Sequence, residues 1–254
     1  MARPVAAPPA RRSGSVELAY HRIRDLIVAG RLSPGARLVE TELAGSLGVS
    51  RGTIRPALLR LRQEGYATAP RSGRQARLIV APLTRDDAVD LYSLVGELEG
   101  LAASLAAVAN DDVHGPMMAS VRALQLQLEQ LSRHPEPDPA TFLDLDREFH
   151  RAYVVAVGRP RLLTAHETLR PQLERYARLY ALYVVGGRGG QLSETVREHG
   201  DIITCLGRKD PRASGDAVRR NWRHGVARLV AIIDQAGARG DWHGGALVDV
   251  PDRS

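Results

Sequence analysis

Apolar side chains recur at three- and four-residue spacing along most of this 254-residue chain, and glycine and proline mark where the rhythm stops. Val16, Ala19, Ile23, Leu26 and Ile27 make one stripe, ended by Gly30, and predict a helix over 16–29. Leu43, Ala44 and Leu47 make a second, shorter stripe, and Ile54, Ala57, Leu58 and Leu61 a third. Gly48 supplies the positive φ that stops the second helix, and Gly65 stops the third. The tight turn between them is that of a helix-turn-helix, with Ser50, Arg51, Thr53 and Arg55 opening its second helix. Two short β-type runs follow, 67–70 and 75–80, separated by Arg71-Ser72-Gly73-Arg74, which reads as a hairpin. Three helices and a hairpin predict a winged helix over 15–80.

Past a linker at 81–84 the pattern is helical throughout. Thr84 caps a helix to about Val108, and a second runs from about Val113 to Ser132. Asp138 and Pro139 open a third that ends at Gly158, and Pro160 opens a fourth to about Tyr183. After the glycine stretch 186–190, Ser193 caps a fifth, and Asp210-Pro211 open a sixth ending near Gln235. The expected fold class is therefore mainly α: an N-terminal winged helix-turn-helix followed by an antiparallel all-α bundle over 85–236. Residues 1–14 read as a disordered basic arm and 237–254 as a flexible tail.

Charge sharpens this picture. Residues 1–80 hold 14 Arg against 5 acidic residues, a net of +9 in a chain whose total is +6, so the remainder is −3. A basic module joined to a mildly acidic one points to a nucleic-acid reader attached to something else. The lone Cys205 cannot form an internal disulfide, which fits a reducing, cytoplasmic setting. No apolar run reaches 18 residues, so no membrane span is expected.

The stretch from Ala19 to Val80 resembles the winged helix of the GntR family of bacterial transcription regulators. The residues that carry it are Gly30-Arg31-Leu32, Pro34-Gly35, Glu42-Leu43-Ala44, Leu47-Gly48-Val49-Ser50-Arg51, Arg55, Ala57-Leu58, Leu61 and Glu64-Gly65. The helical remainder is similar to the six-helix FCD-type sensor domain of the FadR subfamily. Its marks are Leu91-Tyr92, Leu98-Glu99-Gly100, Asp146-Arg147-Glu148-Phe149-His150 and Glu198-His199. The resemblance implies a ligand-responsive repressor: a homodimer that binds double-stranded operator DNA and is released by a small-molecule effector, an organic acid or related metabolite. Thr41, Ser50, Arg51, Thr53 and Arg55 match family positions at the DNA, and Gly73 and Arg74 match the wing tip. Arginine suits bidentate contact with guanine, and hydroxyls suit phosphates. Arg60 and Arg62 read as solvated. Pro56 stands where the family usually has Glu, and a helix starting at Gly52 or Thr53 would hold it in the first turn.

In the helical half, Asp146 and His150 stand four apart on one helix face and can share a divalent metal. By the resemblance, His199 joins them, giving a metal set of Asp146, His150 and His199 for Zn, Ni or Mn. The family's further histidine, 22 residues on, falls on Asn221, and His224 lies one turn away. Asp146, His150, His199 and Asn221 are the expected effector-binding residues. Tyr176, Tyr180 and Tyr183 form an aromatic stripe that suits a core, and Arg175 and Arg178 are candidates for an anionic effector. The family's arginine on the first sensor helix is Val95 here. The alternative is a helical metalloenzyme using Asp146, His150 and His199; no HExxH pair or phosphate-cradling loop supports it.

Overall fold

The computed structural model describes residues 10–69, 78–186, 191–238, 242–243 and 246–247. The chain divides into two compact units, residues 1–83 with 240–254, and residues 84–239.

The first unit holds α1 (Ala10–Val28), α2 (Glu40–Leu47), α3 (Arg51–Gln63), β1 (Ala67–Thr68) and β2 (Ile79–Val80). Its core is the set of stripes read from the sequence, with Ile23, Ile54, Ala57, Leu61 and Val80 fully enclosed. Burying this many aliphatic side chains, about 1.5–3 kcal/mol each, is what holds three short helices together. Gly48 closes α2 in the left-handed region at φ 65°, and its N–H and that of Val49 bond back to Gly45 and Ala44. Two residues later Ser50 caps α3, its Oγ accepting from the Thr53 N–H at 3.2 Å. β1 and β2 pair antiparallel with Ala67 opposite Val80. A third segment joins them, since the Leu38 N–H donates to the Leu78 carbonyl at 2.9 Å and the Val80 N–H to that of Ala36 at 2.8 Å. The wing tip, with Gly73 and Arg74, lies outside the described residues.

The second unit comprises α4 (Arg85–Ala107), α5 (Asp111–Ser132), α6 (Pro139–Ala156), α7 (Pro160–Gly186), α8 (Gln191–Gly207) and α9 (Pro211–Ala238). They form an antiparallel bundle in which α4 is the central helix and packs most extensively on α9. That close approach depends on glycine. A Cβ on Gly215 would stand 2.9 Å from the Gly100 carbonyl oxygen and 2.3 Å from Ser104 Oγ, and one on Gly96 would meet Trp222 at 3.0 Å. Thr84, Asn110, Asp138 and Asp210 cap α4, α5, α6 and α9 through their side-chain oxygens.

Several boundaries differ from expectation. α1 begins at Ala10, within the stretch expected to be an unstructured arm, and α9 runs to Ala238. Residues 242–243 pair with 246–247 as a small ribbon inside the expected tail. α5 starts at Asp111 because Asn110, rather than a later residue, is the cap. α8 starts at Gln191, so Ser193 lies inside it and is not its cap. Pro56 is the sixth residue of α3, beyond the first turn, so one interior bond to the Gly52 carbonyl is forgone.

Candidate functional site

On the first unit, the N-terminal half of α3 and the start of α2 border an open groove. Arg37, Thr41, Arg51, Arg55 and Arg62 line it over a floor that includes Leu58 and Leu78. Thr41, Ser50, Arg51 and Arg55 are exposed, whereas Ile54, Leu58 and Leu61 of the same helix point inward. The Ser50 and Thr53 hydroxyls lie 2.9 Å apart, so both are tied to the helix start. Arg55 makes a two-pronged pair with Glu40, its Nε and Nη2 each 3.1 Å from a carboxylate oxygen. That hydrogen bond holds the Glu40 carboxyl below its usual range. Arg60, read from sequence as solvated, instead stacks over Tyr20 at 3.8 Å and bonds Glu17 at 2.7 Å and Glu64 at 2.8 Å. It is a staple between α1 and α3. Arg62 faces the groove, which its place on a polar helix face did not reveal.

The second unit encloses a mostly apolar cavity of about 80 Å³, walled by α4, α6, α7, α8 and α9. Asp146 and His150 reach it from α6, and His199 comes alongside from α8. One ligand atom from each of the three lies within 4.8 Å of the others. His199 is wholly buried, is stacked on Phe149 at 4.1 Å, and among the described residues makes no hydrogen bond through either ring nitrogen. Its Nε2 faces Asp146 Oδ1 at 3.4 Å. Two unpartnered nitrogens on a buried ring are costly unless something else binds them. Burial pushes the His199 pKa well below its ordinary value, with the His150 charge adding to the effect, so the ring is a neutral donor of lone pairs. Burial also raises the Asp146 carboxyl.

Glu99 of α4, which the sequence analysis names only as a mark of the resemblance and gives no role, organises the rest. It is 1% exposed and accepts from Tyr153 Oη, Trp222 Nε1 and His166 Nε2 at 2.8 Å each and from His150 Nδ1 at 2.7 Å. Burial alone would raise its pKa. The charge and hydrogen bond of His150, together with those of His166, outweigh burial and hold Glu99 well below the carboxylate range. It is therefore an ionised acceptor. For His150, burial disfavours the charged ring, but Glu99 prevails and raises its pKa. Because Glu99 takes the Nδ1 proton of His150, Nε2 is the nitrogen left for a ligand. The buried, unpartnered His199, the Asp146 carboxylate and this oriented imidazole fit a divalent cation in donor type and spacing.

Asn221 lines the same cavity, and its amide nitrogen donates to Glu198 at 3.1 Å, so its oxygen is the atom it can offer. His224 does not stand in for the missing histidine: it is turned out and bonds Glu198 at 2.8 Å. Arg175 and Arg178 are not on the cavity wall; Arg147, Arg170 and Arg228 are. Arg228 is anchored on Glu198 at 2.9 and 3.1 Å and on Tyr180 Oη at 2.9 Å. Of the tyrosine stripe, Tyr180 lines the cavity, while Tyr176 is buried and bonds Asp87 at 2.7 Å. Val95 is fully buried in the core.

A DNA-reading head joined to a helical domain with a mostly apolar cavity that a few polar groups reach is the architecture of a ligand-responsive transcription regulator. Comparison with known proteins agrees. Residues 16–74 match the family described as bacterial regulatory proteins, gntR family, and residues 90–224 match the FCD domain. The chain belongs to the GntR regulators that carry an FCD domain, a ligand-responsive DNA-binding class. It is 26% identical over 221 residues to the uncharacterized HTH-type transcriptional regulator YdhC of Bacillus subtilis (strain 168), covering 85% of this chain and 91% of that one. An uncharacterized HTH-type regulator from the TAR-I ttuE-ttuC' intergenic region of Agrobacterium vitis is 31% identical over 148 residues, covering 58% and 82%. In fold it is similar to E. coli McbR/YncC, with a TM-score of 0.60 at 20% identity over 87% of this chain and 98% of that one. Among the described residues no helix is long and apolar enough to cross a membrane.

Proposed function

We propose that this regulator is a repressor, acting as a homodimer on a near-palindromic operator and released by a small metabolite bound in the helical domain. The observation that carries the sensing half is His199: a fully buried imidazole whose two nitrogens have no hydrogen-bond partner among the described residues, beside Asp146 and His150 and next to a cavity. Asp146, His150 and His199 would hold a divalent cation such as Zn, Ni or Mn, with the Asn221 oxygen as a weaker fourth donor. Such a cation supplies a positive centre onto which a carboxylate can bind. Arg228, already charge-balanced by Glu198, gives the cavity a fixed donor surface. Thr41, Ser50, Arg51, Thr53 and Arg55, with the wing residues Gly73 and Arg74, are assigned to the DNA. A single head covers too little DNA for selective binding, which is the physical reason for a two-fold partner.

The test is thermal unfolding of the full chain with chelator and with added Zn²⁺, Ni²⁺ or Mn²⁺. Binding to the folded state alone raises the midpoint by mass action. A midpoint that moves with none of them, with no metal by elemental analysis, removes the metal. Operator binding that no cavity ligand alters removes the sensing role.

A further inference from the structure

Arg55 reaches into solvent, yet one edge of its guanidinium is already taken. Nε donates to Glu40 Oε1 and Nη2 to Glu40 Oε2, both at 3.1 Å. Glu40 is the first residue of α2 and Arg55 the fifth of α3, so the pair joins the two helices of the reading head across fifteen positions. A carboxylate in the first turn of a helix is favoured there by the helix dipole. A guanidinium carries five hydrogens in one rigid plane. The side-on pair uses the hydrogen on Nε and one on Nη2, which leaves the outer edge: Nη1 and the second hydrogen of Nη2. Among the described residues no partner bonds that edge. The Arg55 side chain is 78% exposed, so with its inner edge covered it presents the outer one to solvent. The pair borders the groove together with Arg51, Gly52 and Leu59.

An arginine free to swing pairs with any phosphate in reach, and such contacts carry no sequence information. Glu40 changes both terms. It offsets the charge, so a phosphate gains less from the guanidinium, and it fixes the plane of the group. What remains is two coplanar hydrogens, one on Nη1 and one on Nη2, the arrangement that fits O6 and N7 of guanine in the major groove. We propose that Glu40 is a specificity-determining residue that aims the outer edge of Arg55 at a guanine of the operator. The inference rests on the assignment of Arg55 to DNA given above; it adds which base Arg55 reads and what positions it. An exposed ion pair contributes little to folding, so removing it leaves the head intact.

The experiment is selection of bound duplexes from a pool with a random-sequence core, using the full chain unaltered and as Arg55→Ala, Glu40→Ala and Glu40→Gln. Each position of the enriched motif is then scored by the affinity ratio of its preferred base to the others. Arg55→Ala should abolish the preference at a guanine. Glu40→Ala should lower the preference at that same guanine from about tenfold to about threefold or less and leave the other positions unchanged. Glu40→Gln, which can accept only one of the two bonds, should fall between. In the selected duplex, 7-deazaguanine at that position removes the N7 acceptor; it should weaken binding of the unaltered chain and leave that of Arg55→Ala unchanged. A merely structural role for Glu40 would weaken every position together, and that result overturns the inference. So does a guanine preference that survives Glu40→Ala where Arg55→Ala abolishes it, which would leave Arg55 as a DNA contact without a positioning residue. So does a change in Glu40→Ala at a position that Arg55→Ala leaves intact, since Glu40 would then read a base itself. Preferences unchanged at every position in Arg55→Ala would remove Arg55 from the DNA assignment, and the inference with it.

Discussion

Replacing Glu99 with glutamine tests how the buried cluster is organised. The change keeps the shape and removes the charge. Of the four donors on Glu99, three converge on Oε2 (His150, Tyr153 and Trp222) and one, His166, on Oε1. A glutamine amide can place its oxygen at the Oε2 position and its NH₂ toward His166. The three surviving bonds fall from charge-assisted, about 1.5–3 kcal/mol each, to neutral, about 0.5–1.5. Relief of the carboxylate's desolvation offsets part of that loss, and the net cost to folding should be about 2–3 kcal/mol. The second effect concerns His150. With only a neutral acceptor on its Nδ1 proton, the imidazole at Nε2 is less basic and less firmly oriented, and affinity for a divalent cation should fall roughly 10–100-fold. Chelator competition with Zn²⁺ reads the affinity, and urea unfolding with chelator present reads the stability. A folded Glu99→Gln protein that binds metal within threefold of the unaltered chain would refute the orientation argument.

Arg51→Ala and Arg55→Ala should each weaken operator binding by about 1–3 kcal/mol in a gel-shift titration without altering the unfolding midpoint, since both side chains are exposed. Glu40→Gln should act oppositely, strengthening non-specific DNA binding at low salt, because it frees Arg55 and removes an anion from the groove; unchanged affinity would mean that the pair is irrelevant to DNA. Gly215→Ala should destabilise the helical unit by about 1–3 kcal/mol, because the added methyl meets the Gly100 carbonyl oxygen across the α4–α9 contact; chemical unfolding checks it. His199 gives a pH dependence of definite sign. Its pKa is depressed in the folded state, so the unfolded chain takes up the proton first and stability falls as pH drops below about 6.5. His150, with its raised folded pKa, contributes oppositely, losing stability as pH rises above about 6.5. In chelator, His199→Phe should therefore lose less stability between pH 6.5 and 5 than the unaltered chain, by up to about 1.4 kcal/mol per pH unit; parallel curves would count against a neutral, buried His199.

The reading head was legible because its signals are local. Gly48 and Ser50 act on the backbone within a few residues, and the stripes of α2 and α3 repeat at the helical period, so turn, cap and buried face all follow from the order of residues. The pairing of Asp146 with His150 is likewise a property of one helix. Boundaries were less determinate where the cap was not recognised, as at Asn110, or where nothing forbids continuation, as at the start of α1 and the end of α9. What surrounds the cavity was decided only by tertiary packing. Glu99, Tyr153, His166 and Trp222 come from four different helices, up to 123 residues apart in sequence, and no spacing rule relates them. A carboxylate on an amphipathic helix normally faces water. Glu99 is buried because α4 is the central helix, enclosed by its neighbours, so that even a polar position must find its partners inside. The same packing turned His224 outward onto Glu198, placed Arg228 rather than Arg175 at the cavity wall, and made Arg60 a structural staple. Sequence order fixes which atoms a helix can present; which of them meet depends on how six helices share one core.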